Sequence, residues 1–158
     1  MGTLLEDIKA QSAWLVKAFD EDYMYLDYSI HSLIDIDRFF NKHSKNGRPK
    51  RFGRLSANVG PILFSIAAYV GNCFIENIKG AKWITDDTDP EGELHIYIRL
   101  PDGSEVYPLD KVTKRLKNGT EDSIYVYGFW VAEQYIDEKF DERYWRFAGR
   151  TKPWWKFW

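Results

Sequence analysis

The residues that could do acid–base, nucleophilic or metal chemistry are few in this chain of 158 residues, and they are scattered. His31, His43 and His95 fall on a predicted helix, a loop and a strand, without the HxH or HxxxH spacing of a metal site. The single cysteine, Cys73, lies in an apolar segment, which predicts a buried side chain and excludes an internal disulfide. Neither a GxSxG turn nor a phosphate-binding glycine loop is present. We therefore predict that the chain is not an enzyme and has no catalytic residue, metal site or cofactor.

Acidic side chains are crowded into one loop, residues 86–93, which reads DDTDPEGE. Alternating acids could supply oxygen ligands to Ca²⁺, but the spacing is not that of an EF-hand and Pro90 interrupts the run. A solvated loop is the simplest interpretation, while concentrated negative charge can also orient a basic partner. We predict that this loop and the outward side chains of the next strand bind a protein partner, through Asp86, Asp87, Asp89, Glu91, Glu93, Tyr97 and Arg99.

Positive charge is concentrated in residues 41–54 and near the C-terminus. The loop 41–54 has Phe52 as its only aromatic residue, so it offers phosphate contacts without a platform for base stacking. The net charge of −2 also argues against a nucleic-acid partner, because nucleic-acid-binding domains are usually clearly basic. Residues 151–158 interleave Trp and Lys, as membrane-interfacial peptides do. We favour packing on the domain surface or docking into a partner over membrane contact for this tail.

Length and composition predict one α+β domain, residues 1–150, followed by the Trp- and Lys-rich tail, residues 151–158. Aromatic residues make up 17% of the chain; they either fill the core or reach the surface, where they are typical of interfaces. The N-terminus carries acids where a signal peptide needs bases and an apolar run. We therefore expect a cytoplasmic protein, of an oligomeric state that the sequence leaves open.

Apolar periodicity predicts three N-terminal helices. The first covers about residues 3–19, and the second begins at a cap formed by Asp27 or Ser29. The third, residues 61–78, is apolar on nearly every side and should be covered on every side. Gly71 in its middle costs about 1 kcal/mol relative to Ala, so we predict that a neighbour approaches the helix backbone closely there.

Three strands follow in the sequence, at residues 82–85, 93–100 and 104–107. A Pro-Asp-Gly turn joins the last two strands as a hairpin. Alternation along the middle strand directs one set of side chains toward the 61–78 helix and the other outward. The inward set is Leu94, Ile96 and Ile98, and the outward set contains Tyr97 and Arg99.

Two more helices are predicted, a short one at residues 109–117 and a longer one at about residues 122–140. The predicted fold class is therefore α+β, with N-terminal helices, a buried central helix, a small three-stranded antiparallel sheet and C-terminal helices.

A series of short motifs runs from about residue 26 to residue 130. They are Tyr28-Ser29, Ser32-Leu33, Asp37, Tyr69-Val70-Gly71, Gly80-Ala81-Lys82-Trp83, the turn from Leu100 to Gly103, Pro108, Val112 with Lys114-Arg115, Asn118-Gly119 and Asp122-Ser123. Their order resembles that of a bacterial family of small domains of unknown function. Some members of that family resemble toxin-neutralising immunity proteins of bacterial competition systems. The motifs are mostly structural, and the resemblance supplies no active-site residues.

The lack of catalytic and metal-binding motifs, the acidic pI and the aromatic content, together with this resemblance, favour a cytoplasmic binding protein. The specific expectation is an immunity protein that blocks a toxin by occupying its active site. One alternative is an enzyme with a dispersed site on the open face of the sheet, formed by His95, Tyr97 and a carboxylate. Another is a peripheral membrane protein that uses its basic aromatic tail.

Overall fold

Helices at both ends of the chain enclose a small antiparallel sheet, which confirms the predicted α+β class. The computed structural model describes residues 2–147, and every prediction made for the tail 151–158 lies outside the described residues. The helices are α1 (Leu4–Glu21), α2 (Leu33–His43), α3 (Val59–Asn77), α4 (Pro108–Asn118), α5 (Ile124–Ala132) and α6 (Tyr144–Phe147). The strands are β1 (Ser44–Lys45), β2 (Arg48–Pro49), β3 (Lys82–Ile84), β4 (Tyr97–Arg99) and β5 (Glu105–Val106).

Helix α3 lies at the centre of the core, with α1, α4, α5 and β3 packed around it. Its middle is buried, as predicted, whereas Gly60 and Pro61 in its first turn are exposed. Among the described residues, α3 alone is long and apolar enough to cross a membrane by length and composition. Core helices share those properties, and 56% of its most apolar stretch is buried inside the fold.

Gly71 of α3 makes room for the indole ring of Trp83 from β3. A Cβ built on Gly71 would lie 2.1 Å from Cζ2 of Trp83 and 3.1 Å from Cδ1 of Ile98. The ring is held in place because its Nε1 donates a hydrogen bond of 2.9 Å to Oδ1 of Asn72. The predicted close approach is confirmed, and the sheet packs against the helix through it.

The three-stranded sheet has the order β3-β4-β5, with both pairs antiparallel. Gly103 takes a φ of +88° in the predicted turn, where the Leu100 N–H bonds the Ser104 carbonyl over 2.8 Å. Ile96 and Ile98 are buried as predicted, but Leu94 is 59% exposed. The strand is shorter than 93–100 because Gly92–Leu94 forms a 3₁₀ helix, whose local hydrogen bonds use the N–H groups that a strand would need.

Two predictions for the N-terminal half were wrong in detail. Helix α2 begins at Leu33, because Tyr28 has a φ of +64° and Ser29 bonds back to Asp27 in a local turn. The loop 41–54 contains the hairpin β1–β2. Its two central residues are Asn46 and Gly47, both with positive φ, which is the chemistry of a type I′ turn.

The predicted helix 122–140 is interrupted. Helix α5 ends at Ala132, a 3₁₀ turn covers Glu133–Tyr135, and the backbone is extended at Ile136. A continued helix would carry Phe140 about 12 Å past Ala132, at about 1.5 Å per residue. The chain turns back instead, so that Phe140 lies 5.0 Å from the ring of Tyr125. Aromatic packing therefore overrides local helix propensity.

A buried ionic cluster joins α2, α4 and α5. The carboxylate of Asp37 accepts hydrogen bonds from Nε of Arg115 (2.9 Å) and Oγ of Ser123 (2.9 Å), and both charged side chains are almost fully buried. It also accepts from the N–H groups of Ile124 (3.0 Å) and Tyr125 (2.8 Å). These N–H groups have no partner within their own helix, so a carboxylate from α2 caps the positive end of α5.

A second buried cluster links the segment before α2 to α3. The hydroxyl of Tyr69 accepts a hydrogen bond from the Tyr28 N–H (2.9 Å) and shares one with Oγ of Ser32 (2.6 Å). Burial raises the pKa of Tyr69, so its hydroxyl stays protonated at neutral pH. Part of the motif series thus lies in these two clusters, where it positions helices; its members are Tyr28, Ser32, Asp37, Tyr69, Arg115 and Ser123.

Candidate functional site

The outer face of the three-stranded sheet presents alternating side chains away from α3. The register pairs Lys82 with Arg99 and Arg99 with Glu105, which places these three charges in one row across the face. Ile84 pairs with Tyr97 in the neighbouring row. Trp83, Ile98 and Val106 form the opposite, inward row. The structure therefore confirms the prediction that Tyr97 and Arg99 point outward.

Hydrogen bonds between side chains organise this outer face. The ring of Tyr97 lies 5.2 Å from that of Tyr107, which is 45% exposed. Arg99 donates to the Tyr97 hydroxyl over 3.0 Å. The Tyr107 hydroxyl donates to a carboxylate oxygen of Glu105 over 2.5 Å, and this bond raises the pKa of Tyr107. Two tyrosines are thus held with their rings side by side and available to a ligand.

The aromatic surface continues from the sheet onto α5. Tyr107 and Tyr127 line one shallow cleft of about 240 Å³, and Tyr127 and Trp130 line the next, of about 220 Å³. Lys111 lines both clefts; its Nζ lies 5.0 Å from the Tyr127 ring centroid and 2.9 Å from Oδ1 of Asp122. We call Tyr97, Tyr107, Tyr127 and Trp130 the aromatic stripe.

Helix α5 presents Trp130 outward because its opposite side is fixed in the core. A Cβ built on Gly128 would lie 2.4 Å from Cδ1 of Leu33, so α5 and α2 are in tight contact there. Trp130 is 69% exposed, whereas Tyr127 is half-buried, and burial raises the pKa of Tyr127 to about 12. The stripe therefore ends on a large apolar side chain that the described residues leave exposed.

The acidic loop is ordered by its own aspartates. Asp86 accepts hydrogen bonds from the N–H and hydroxyl of Thr88, and these bonds hold the pKa of Asp86 below its usual value. Asp87 accepts from the Leu4 N–H over 2.8 Å, which ties the loop to the start of α1. The side chains of Glu91 and Glu93 are exposed and form no hydrogen bond or ion pair with another described residue, although the Glu91 N–H donates to Oδ1 of Asp89 over 2.9 Å. The five predicted residues therefore divide into three that build the loop and two that only project from it.

Asp89 belongs to the first group because it binds His95. The distance from Nδ1 of His95 to Oδ2 of Asp89 is 2.6 Å. This hydrogen bond raises the pKa of His95 and lowers that of Asp89. Within residues 2–147, no group of three His, Cys, Asp or Glu side chains is placed to hold a metal ion. The pair is thus an exposed contact that ties the loop to the residue after the Gly92–Leu94 turn.

The residues of the enzyme alternative make separate contacts. His95 bonds Asp89, whereas Tyr97 bonds Arg99 and stacks beside Tyr107. Neither His95 nor Tyr97 lines the two clefts of the aromatic stripe. Among the described residues, His95 and Tyr97 therefore do not meet around either of these clefts.

Sequence reasoning missed three residues of the stripe. Tyr107 follows Glu105 by two positions, so the hairpin register and the period of a strand could have placed it beside Tyr97. Tyr127 and Trp130 were hidden because α5 is apolar on all sides and shows no amphipathic periodicity.

Comparisons of the chain with protein-family models, with curated proteins and with solved structures find no match.

Proposed function

We propose that this chain is a cytoplasmic protein-binding protein, an immunity protein that neutralises a cognate bacterial toxin by direct binding, and that the aromatic stripe is its binding surface. The observation that carries the proposal is the exposure of Trp130 and Tyr107 on a surface that continues across the sheet and α5. The family resemblance of the motifs in residues 26–130 supports the choice of an immunity protein.

The aromatic stripe has the residue composition that is typical of the centre of a protein–protein interface. Trp, Tyr and Arg dominate the residues that contribute most to binding energy, and Arg99 lies beside Tyr97 at one end of the stripe. Tyrosine and tryptophan supply large contact areas with few rotatable bonds, so ordering them costs little entropy. Ion pairs such as Lys111–Asp122 border the stripe and resemble a polar rim.

The acidic loop has a separate role in this proposal. Its negative charge would attract a basic toxin surface and accelerate association, with less effect on dissociation. Glu91 and Glu93 are the positions at which charge can be reversed without breaking the loop, since their side chains make no hydrogen bonds with other described residues.

The test asks whether this protein binds and neutralises a toxin domain encoded by a neighbouring reading frame. Tyr107→Ala and Trp130→Ala are each expected to weaken binding by about 2 kcal/mol, roughly 30-fold in Kd, and to reduce protection on co-expression. Tyr25→Ala is the matched control, because Tyr25 is 66% exposed and lies outside the stripe. Wild-type affinity in both stripe variants would refute the stripe, and failure of the unaltered protein to bind or protect would refute the immunity role.

A further inference from the structure

Two connected grooves run along the α1–α3 contact, away from the aromatic stripe. The first, of about 450 Å³, lies between α1, α2 and α3, and the second, of about 610 Å³, lies between α1, α3, the Gly92–Leu94 turn and α4. Gln11 and Pro61 line both grooves. Each volume is within the range of ligand-binding sites, about 300–1,000 Å³.

The grooves have apolar floors and exposed apolar walls. Leu15 and Phe39 form part of the floor of the first groove, and both are buried. Trp14, on the wall of the first groove, is 51% exposed, and Leu94, beside the second, is 59% exposed. Large exposed apolar side chains along neighbouring grooves are typical of a surface that binds another molecule or segment.

The second groove is acidic, whereas the first is close to neutral. Asp7 and Glu93 line the second groove without a basic partner in the described lining. In the first groove Asp22 is paired with Arg54, the only base among the described residues of either lining, over 2.6 Å. Helix α1 also ends near the first groove with no basic residue in its last turn, so the negative end of its dipole adds to the field. A complementary ligand is aromatic and basic.

Residues 148–158 of this chain have that chemistry. They contain three bases and no acidic side chain, together with Trp154, Trp155, Phe157 and Trp158. The segment begins directly after α6, which packs on α2, and α2 contributes Phe39 to the first groove. Eleven residues span about 36–40 Å when fully extended. Because α6 packs on α2, which forms one wall of the first groove, this length is sufficient to reach that groove.

We propose that residues 148–158 dock in the α1–α3 grooves of the same chain, with their aromatic side chains on Trp14 and Leu94 and their bases toward Asp7 and Glu93. Glu93 belongs both to the acidic loop and to the second groove, but the grooves share no residue with the clefts of the aromatic stripe, so the docking is tested separately from the stripe. It gives the basic aromatic tail an intramolecular site.

The test is paramagnetic relaxation enhancement in the full chain. A nitroxide is attached to Thr151→Cys, which leaves every charge and aromatic ring of the segment in place. Cys73 does not compete for the label, since it is fully buried and burial raises the pKa of its thiol. The backbone amide signals of Ala18 and Ile62 are expected to lose most of their intensity, and those of Trp130 to keep theirs.

A matched pair of variants locates the docking. Ala18→Arg places a bulky positive side chain in the first groove and is expected to abolish the attenuation. Ala13→Arg adds the same side chain at an exposed position of α1 outside the groove lining and is expected to preserve it. Attenuation elsewhere on the domain, or nowhere, would overturn the proposal. In a mixture of nitroxide-labelled protein with an isotope-labelled copy that carries no nitroxide, attenuation of the second copy would also overturn it, because the segment would then dock between molecules.

Discussion

Replacing Asp37 by Asn tests the central claim that one buried carboxylate holds three helices together. The side chain of Asp37 accepts four hydrogen bonds, from Arg115, Ser123, Ile124 and Tyr125. An amide keeps one acceptor oxygen and turns the other into a donor. At the new NH₂ group two of the four hydrogen bonds are lost, because two donors then face each other. The buried guanidinium of Arg115 also remains charged without a counter-charge.

Two routes give the same magnitude for this change. Removing one partner of a buried ion pair costs about 3–5 kcal/mol. Losing two hydrogen bonds to a charged group, at about 1.5–3 kcal/mol each, gives about 3–6 kcal/mol. We therefore expect Asp37→Asn to lower the free energy of unfolding by about 4 kcal/mol, a large part of the 5–15 kcal/mol typical of a domain.

The assay is urea unfolding of the full chain, followed by far-ultraviolet circular dichroism at pH 7. With a denaturant slope of about 2 kcal/mol/M, the midpoint should fall by about 2 M. Asp35→Asn is the control, because Asp35 lies two residues earlier in α2 and pairs with Arg38 at the surface; it should change stability by less than about 1 kcal/mol.

A loss below about 1 kcal/mol for Asp37→Asn would refute the reasoning. If that variant does not fold, Ser123→Ala provides a milder measurement. It removes one donor to Asp37 and the hydroxyl that caps the Val126 N–H of α5. We expect it to cost about 1–2 kcal/mol, and a neutral effect would equally contradict the cluster's role.

Three further predictions concern packing and protonation. Gly71→Ala should destabilise the protein by about 1–3 kcal/mol, because its Cβ would overlap the indole ring of Trp83. Gly60→Ala has open space around it and should change stability by less than about 1 kcal/mol, because the gain in helix propensity is offset by the clash between the new Cβ and Pro61; thermal unfolding of both variants is the measurement. The pKa of His95 should lie above the usual 6.5 in a ¹H–¹⁵N NMR titration and return toward that value in Asp89→Asn; an unshifted pKa would disprove the pairing. The stability that the pair contributes is present below about pH 6.5 and is lost as the pH rises through the raised pKa of His95. Cys73 should resist alkylation in the native protein and react only on unfolding, and rapid native alkylation would show that α3 opens.

Local rules predicted the features whose cause lies within a few residues. The Pro-Asp-Gly turn required a residue with positive φ, and Gly103 supplies it. The glycine in an otherwise apolar helix predicted a close neighbour, which proved to be Trp83 against Gly71. The alternation of Ile96 and Ile98 correctly identified the inward side of the sheet.

Features set by contacts between distant segments were beyond those rules. Leu94 continues the alternation in sequence, yet the 3₁₀ turn at Gly92 removes it from the strand and exposes it. No sequence pattern near Asp37 indicates that Arg115 is its partner. Of the aromatic stripe only Tyr97 was predicted, because Tyr97 lies on a periodic strand whereas Trp130 lies on a helix without periodicity.

The Asp37 cluster also determines the order in which the chain can become compact. Burying the Asp37 carboxylate without its counter-charge is strongly unfavourable, and that counter-charge, Arg115, lies 78 positions later in the sequence. During synthesis, α2 therefore cannot take its final packing against α4 and α5 before most of the chain has left the ribosome. The entropy of closing so long a loop is lost before the contact forms, which slows folding. A shortened chain that ends before residue 115 should consequently remain loosely packed, with its apolar helices open to proteolysis.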